Sequence, residues 1–180
     1  MVKRIVLSGV LGGVVLMATA GVANVVFGFR TYIDLRTVPD ERHVYGVLKQ
    51  SVKTPGAYMF NPAVGANGFP GQDPVFLVRY SGMGHDFAGI GMLLELGVAV
   101  ISALIAASML WLVSSRVSTY GRRLVFFVLV GLLFAVWSDM GSVGILGNPV
   151  SSALLLAGHQ IVSWTLAGSV MAALMRQPVA

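Results

Sequence analysis

No cysteine occurs among the 180 residues, and only 11% of them are charged. The first absence excludes structural disulfides, thiol catalysis, cysteine-ligated zinc or iron–sulfur clusters, and dithiol exchange with a quinone. The second removes most of what keeps a chain in water: 56% of the residues are hydrophobic, a balance suited to lipid. No Walker loop, GxSxG, dinucleotide fingerprint, HExxH or CxxCH is present, so nothing indicates a soluble-type enzyme, a zincin or an attached haem. The formal charge is +5, yet the twelve basic residues are scattered between hydrophobic runs and form no patch. That distribution fits membrane topology and speaks against a nucleic-acid partner.

A spanning helix needs about 20 apolar residues, because the hydrocarbon layer is about 30 Å thick and every backbone polar group must be satisfied within the segment. Four stretches qualify: Ile5 to Phe29, Phe87 to Val113, Leu124 to Trp137, and Ser151 to Met175. The third reaches full length only if Tyr120 to Arg123 or Ser138 to Ser142 join it. The first also has the form of a secretory signal, with Lys3 and Arg4 ahead of the apolar run and Ala18-Thr19-Ala20 before Gly21 as a cleavage site. Cleavage would leave three spans. The apolar run continues through Val22, Val25, Val26 and Phe27, which favours a retained span.

Arg116, Arg122 and Arg123 fall between spans two and three, whereas the connection from Ser138 to Val150 has no Lys or Arg. The positive-inside rule places the first of these loops in the cytoplasm, and both termini with it. Residues 30–84 then form an extracytoplasmic cap between span one (1–29) and spans two to four (85–180). The cap has basic residues of its own, and long segments obey the rule weakly. Thr37-x-x-Asp40 with Pro39 in the first turn predicts a helix start, and Val44, Val47, Leu48 and Val52 follow at helical spacing. Pro55-Gly56 predicts a turn, Ala57 to Phe60 and Val75 to Tyr80 two short strands, with Phe76, Val78 and Tyr80 on one face. The Gly-, Pro- and Asn-rich stretch from Asn61 to Pro74 is longer than a hairpin needs, and Tyr58, Asn61 and Phe69 are its candidate partner-binding residues. So small a cap, without a disulfide, should lean on the bundle or on another subunit.

The helix running into Pro55-Gly56-Ala57-Tyr58-Met59-Phe60-Asn61-Pro62, followed by three spans, resembles a group of small bacterial four-span inner-membrane proteins with a Pro-Gly-x-Tyr motif in the first outer loop. The resemblance implies a bacterial inner (cytoplasmic) membrane setting; the group brings no mapped activity or site. Claudin-like proteins place a cap in the same position, but the paired cysteines expected of it are missing here.

Ionisable side chains in lipid cost about 2.5 to 3.5 kcal/mol on insertion scales and so face a bundle interior or water. Glu95 and His159 each lie eight residues into a span that enters from the outer side, at similar depth. Asp139 closes the outer end of span three and Asn24 lies near that of span one. Each of the four sits on a stripe of small residues, including Gly9 and Gly13, Gly91, Ala99 and Ser102, Gly131 and Ala135, and Ser163. Such stripes are candidate packing seams, and the four polar residues would converge on one pocket in the outer half. Three readings of Glu95 and His159 stand side by side. They are structural glue, worth about 0.6 to 2 kcal/mol; a proton relay or transport site; or, with Asp139 and with His85 or Asp86, a metal site, for which no ligand spacing speaks. Trp111, Tyr120 and Trp137 suit interfacial belts, while Trp164 falls near mid-membrane.

The expectation is an all-α membrane protein, a four-helix transmembrane bundle with a small α/β cap between spans one and two. Functionally it reads as a non-enzymatic accessory or scaffold subunit of a larger membrane complex, in contact with lipids and with other subunits or copies of itself. The alternative is a small transporter, channel or ligand-binding protein using the pocket around Glu95 and His159, and the third is a metal- or quinone-using membrane enzyme. The sequence indicates no cofactor and no metal.

Overall fold

The computed structural model describes residues 2–29, 33, 37–60, 75–84, 88–144 and 147–175. It is mostly helical, with four long apolar helices and a small helix-and-hairpin element between the first and second. The long helices are α1 (Val2–Phe27), α3 (Ala88–Leu112), α4 (Tyr120–Phe134) and α5 (Val150–Leu174). Between α1 and α3 come α2 (Glu41–Ser51), β1 (Gly56–Phe60) and β2 (Phe76–Tyr80). The chain divides into two compact units, Met1–Leu35 with Gly89–Ala180, and Arg36–Ala88.

All four long helices have the length and composition to cross a membrane. Gly28, in the left-handed conformation at φ 58°, stops α1. The third span is longer than its central apolar run. Thr119 caps α4 by accepting from the Arg122 amide at 3.3 Å, which draws Tyr120 to Arg123 into the helix. Beyond Phe134 the helix widens into one π turn, Ala135–Asp139, and tightens into a 3₁₀ turn, Met140–Val143, so that the span runs from Tyr120 to Val143.

The helices pack antiparallel through glycines. On α1, a Cβ at Gly9 would fall 2.9 Å from Leu104 Cα, and one at Gly13 would fall 2.5 Å from Val100 Cα, both on α3. Gly12 points elsewhere, to Met171 Sδ of α5 at 2.5 Å. A Cβ at Gly131 of α4 would fall 2.8 Å from Trp164 Cβ and 3.2 Å from Ile161 Cα, and Gly168 of α5 lies against Phe127. α5 is thus shared by α1 and α4, and it is the least apolar of the four spans. Buried small residues recur along most of its length, from Ser152 and Ala153 through Ser163 and Ala167 to Ala172. The buried residues of α1 and α3 are confined instead to one half of each helix: Ser8, Gly9, Gly12 and Gly13, and Ala103, Ala106, Ala107 and Leu110. These halves adjoin the end of the bundle that carries Lys3, Arg4, Arg116, Arg122 and Arg123. The apolar core, with Phe127, Trp164, Ala167 and Met171, lies there.

Arg123 is buried at that end. Its guanidinium donates from Nε to the Val117 carbonyl at 3.2 Å and from a terminal nitrogen to the Ser118 carbonyl, closing the α3–α4 connection.

In the second unit α2 begins one residue after Asp40, not at Thr37. Asp40 adopts a left-handed conformation with no side-chain cap, and Pro39 lies in the turn before the helix, outside its first turn. β1 and β2 pair antiparallel with Tyr58 opposite Val78, and these two are the half-buried positions of the hairpin; Phe76 and Tyr80 are exposed. The Tyr58 hydroxyl donates to the Thr54 carbonyl at 2.5 Å and lies 2.8 Å from Thr54 Oγ1, pinning the Pro55-Gly56 turn. Gly82 holds φ 72° beside Pro55, whose Cγ a Cβ would meet at 2.6 Å. Val52 is the one buried hydrophobic residue among the described residues of this unit.

Candidate functional site

Past the glycines the packing of α1 and α3 gives way to a cavity of about 360 Å³ within the bundle, on the side away from the basic end. Every helical segment contributes a strongly polar side chain: Asn24 from α1, Glu95 from α3, Asp139 from the π turn after α4, and His159 from α5. Ser102, Gln160 and Ser163 add to its polar lining, Ala99 is a small apolar neighbour, and Phe29, Phe134 and Trp164 supply aromatic walls.

The local causes can be followed residue by residue. Gly131, Ala135 and Asp139 recur at every fourth position, and the first two are buried against α5. At Ala135 the wide turn, in which the Met140 amide donates to the Ala135 carbonyl, places Asp139 at the cavity. The Ser142 hydroxyl then donates to the Asp139 carbonyl at 2.5 Å, and Asp139 Oδ2 is sealed from solvent. On α5, Ser163 Oγ lies 3.4 Å from His159 Nε2 one turn away, and Phe29 covers the imidazole at 5.2 Å between ring centroids. Phe134 and Trp164 stack almost parallel, with centroids 5.5 Å apart and planes at 3°. Trp164 is buried by this contact. Glu95 and Asn24 are exposed.

The other residues singled out in the sequence separate. Gly9, Gly13, Gly131, Ala135 and Ser163 sit in close or buried helix contacts, while Ala99 and Ser102 are half-buried at the cavity. Gly91 makes no close approach: among the described residues a Cβ there would meet nothing within 4 Å, and the buried residues of α3 lie in its other half. Tyr58 lies on β1 with its hydroxyl engaged by Thr54, whereas Asn61, Phe69, His85 and Asp86 fall outside the described residues. Sequence reasoning missed Gly12, whose neighbour Gly13 drew attention to one helix when the pair serves two. It also missed Gly168, which follows Ala167 on the α5 stripe, and the wall residues Phe29 and Phe134, which apolar composition alone cannot set apart from lipid-facing ones. Among the described residues no three His, Asp or Glu side chains come together as metal ligands.

Chemically, the arrangement offers hydrogen-bond acceptors and donors beside stacked rings, inside a shell of lipid-facing side chains. It has the volume and mixed lining of a small-molecule site, for which about 300 to 1,000 Å³ is usual. Comparison of the chain with protein-family models, with curated proteins and with solved structures finds no match. Fold and composition define the class: a four-span, multi-pass membrane protein.

Proposed function

We propose that this is a small ligand-binding membrane protein, a carrier or receptor for a compound held within the bundle. One observation carries the reading: polar side chains from all four helical segments line a single cavity bounded by aromatic rings. The setting we propose is a bacterial inner membrane with both termini cytoplasmic and the cavity in the outer half. Arginines flanking the α3–α4 connection support this, as does the lack of Lys and Arg from Ser138 to Val150. The test is to fill the cavity. Native mass spectrometry of the purified protein should detect a retained small molecule, and Ala99→Trp, which builds an indole into the cavity, should remove it while the fold survives. Identical spectra for the two forms would defeat the reading.

A second reading, an accessory subunit of a larger membrane assembly, is favoured by a different observation. In the Arg36–Ala88 unit, Val44, Tyr45, Val47, Phe76 and Leu77 are exposed, and Val52 is the one buried hydrophobic residue among the described residues. An element with so little core of its own gains stability from a surface that covers it. Purification from the native membrane in mild detergent should then bring stoichiometric larger subunits with the chain, and recovery of the chain alone would count against it.

A further inference from the structure

The cavity's lining selects a ligand chemistry, and here we infer, resting on the ligand-binding reading above, that it takes an organic cation with an apolar body, such as a hydrophobic amine or quaternary ammonium. Charge is the first ground. Among the described residues the lining includes the carboxylates of Glu95 and Asp139 and the imidazole of His159, but no Lys or Arg. Two carboxyl groups among these side chains favour a cation over an anion such as a phosphate.

Glu95 is the second ground. It lies well inside α3, exposed at the cavity, and among the described residues nothing hydrogen-bonds or ion-pairs with it. A charged carboxylate at that depth costs several times the thermal energy, on the order of 3 kcal/mol on insertion scales. A bound cation offsets that cost. A neutral amphiphile leaves it in place.

The walls are the third ground, independent of the carboxylates. Phe134, itself exposed, and Phe29 line the cavity with aromatic rings, which attract weakly hydrated organic cations and offer nothing to an inorganic ion that needs a shell of oxygen ligands. With apolar walls for the body of the ligand and Glu95 for its charge, the site discriminates on both counts at once.

The experiment uses the full chain in lipid nanodiscs with Trp111→Phe and Trp137→Phe, so that Trp164 at the cavity is the sole indole. Benzyltrimethylammonium is titrated against its neutral carbon isostere, neopentylbenzene, and Trp164 emission is followed. The cation should change the emission saturably and bind at least about tenfold more tightly than the isostere, a difference of about 1.4 kcal/mol. Glu95→Gln should remove that preference, and Glu95→Asp should retain most of it. Equal binding of the two compounds in the parent would overturn the cationic assignment while leaving the binding reading intact, and it decides the matter even if Glu95→Gln fails to fold. No saturable change with either compound would overturn both.

Discussion

Gly13 of α1 rides against the backbone of Val100 on α3, so closely that a Cβ on the glycine would fall 2.5 Å from the valine Cα. The obstacle is main chain, which cannot rotate aside. Gly13→Ala should therefore separate the two helices and destabilise the bundle by about 1 to 3 kcal/mol, the usual cost of overpacking. Gly91→Ala is the control on the same class of residue: with nothing within 4 Å it should be neutral, or stabilising by up to about 1 kcal/mol through helix propensity. Thermal unfolding in detergent, followed by circular dichroism, separates the two. Equal effects would show that the α1–α3 contact does not depend on this glycine.

That pair also shows how far the sequence could be read. Span number, the order of elements and the hairpin follow from long apolar runs and turn residues, signals that do not depend on what packs where. Glu95, His159, Asp139 and Asn24 attract notice because charge and amide groups are rare in lipid, and depth arithmetic aligns them without any contact information. A stripe of small residues, by contrast, marks permission for close approach and not its occurrence. Gly13 and Gly91 look alike in sequence, and only the packing of α3 at one end tells them apart. The π turn at Ala135–Asp139 and the Phe134–Trp164 stack are equally silent in composition, since both arise from how α4 meets α5.

Arg123 and Arg122 are neighbours with opposite fates. Arg123 is buried and donates to the Val117 and Ser118 carbonyls, whereas the side chain of Arg122 is exposed and only its amide is used, by Thr119. Arg123→Ala should cost about 1.5 to 3 kcal/mol, the range for hydrogen bonds to a charged group. Arg122→Ala should change stability by less than about 0.5 kcal/mol. Chemical denaturation of both variants checks this, and comparable losses would mean that general charge at this end, not the closed turn, is what counts.

Phe134 shields one face of the Trp164 indole at the cavity. Phe134→Ala removes that shield and admits water to the ring, so in a chain with Trp111 and Trp137 replaced by Phe the emission should shift to the red. Stability should fall by less than the about 3 to 5 kcal/mol typical of a fully buried phenylalanine, because Phe134 is itself exposed. An unshifted spectrum would place Trp164 away from the cavity in the membrane.

The lack of cysteine makes the proposed sidedness directly testable, because any thiol introduced is the only one in the chain. Ser115, in the α3–α4 connection, and Gln50, near the end of α2, are both exposed, so neither substitution disturbs packing. If the arginines around Ser115 hold that connection in the cytoplasm, Ser115→Cys should react with a membrane-impermeant maleimide only after the cells are permeabilised. Gln50→Cys, on the opposite side of the span, should react in intact cells whose outer barrier admits the reagent. The reverse pattern would turn the bundle over and set the cavity, with Glu95 and His159, in the cytoplasmic half. Labelling of both in intact cells would contradict any arrangement in which α3 crosses the membrane, since a single crossing of α3 must put the two positions on opposite sides.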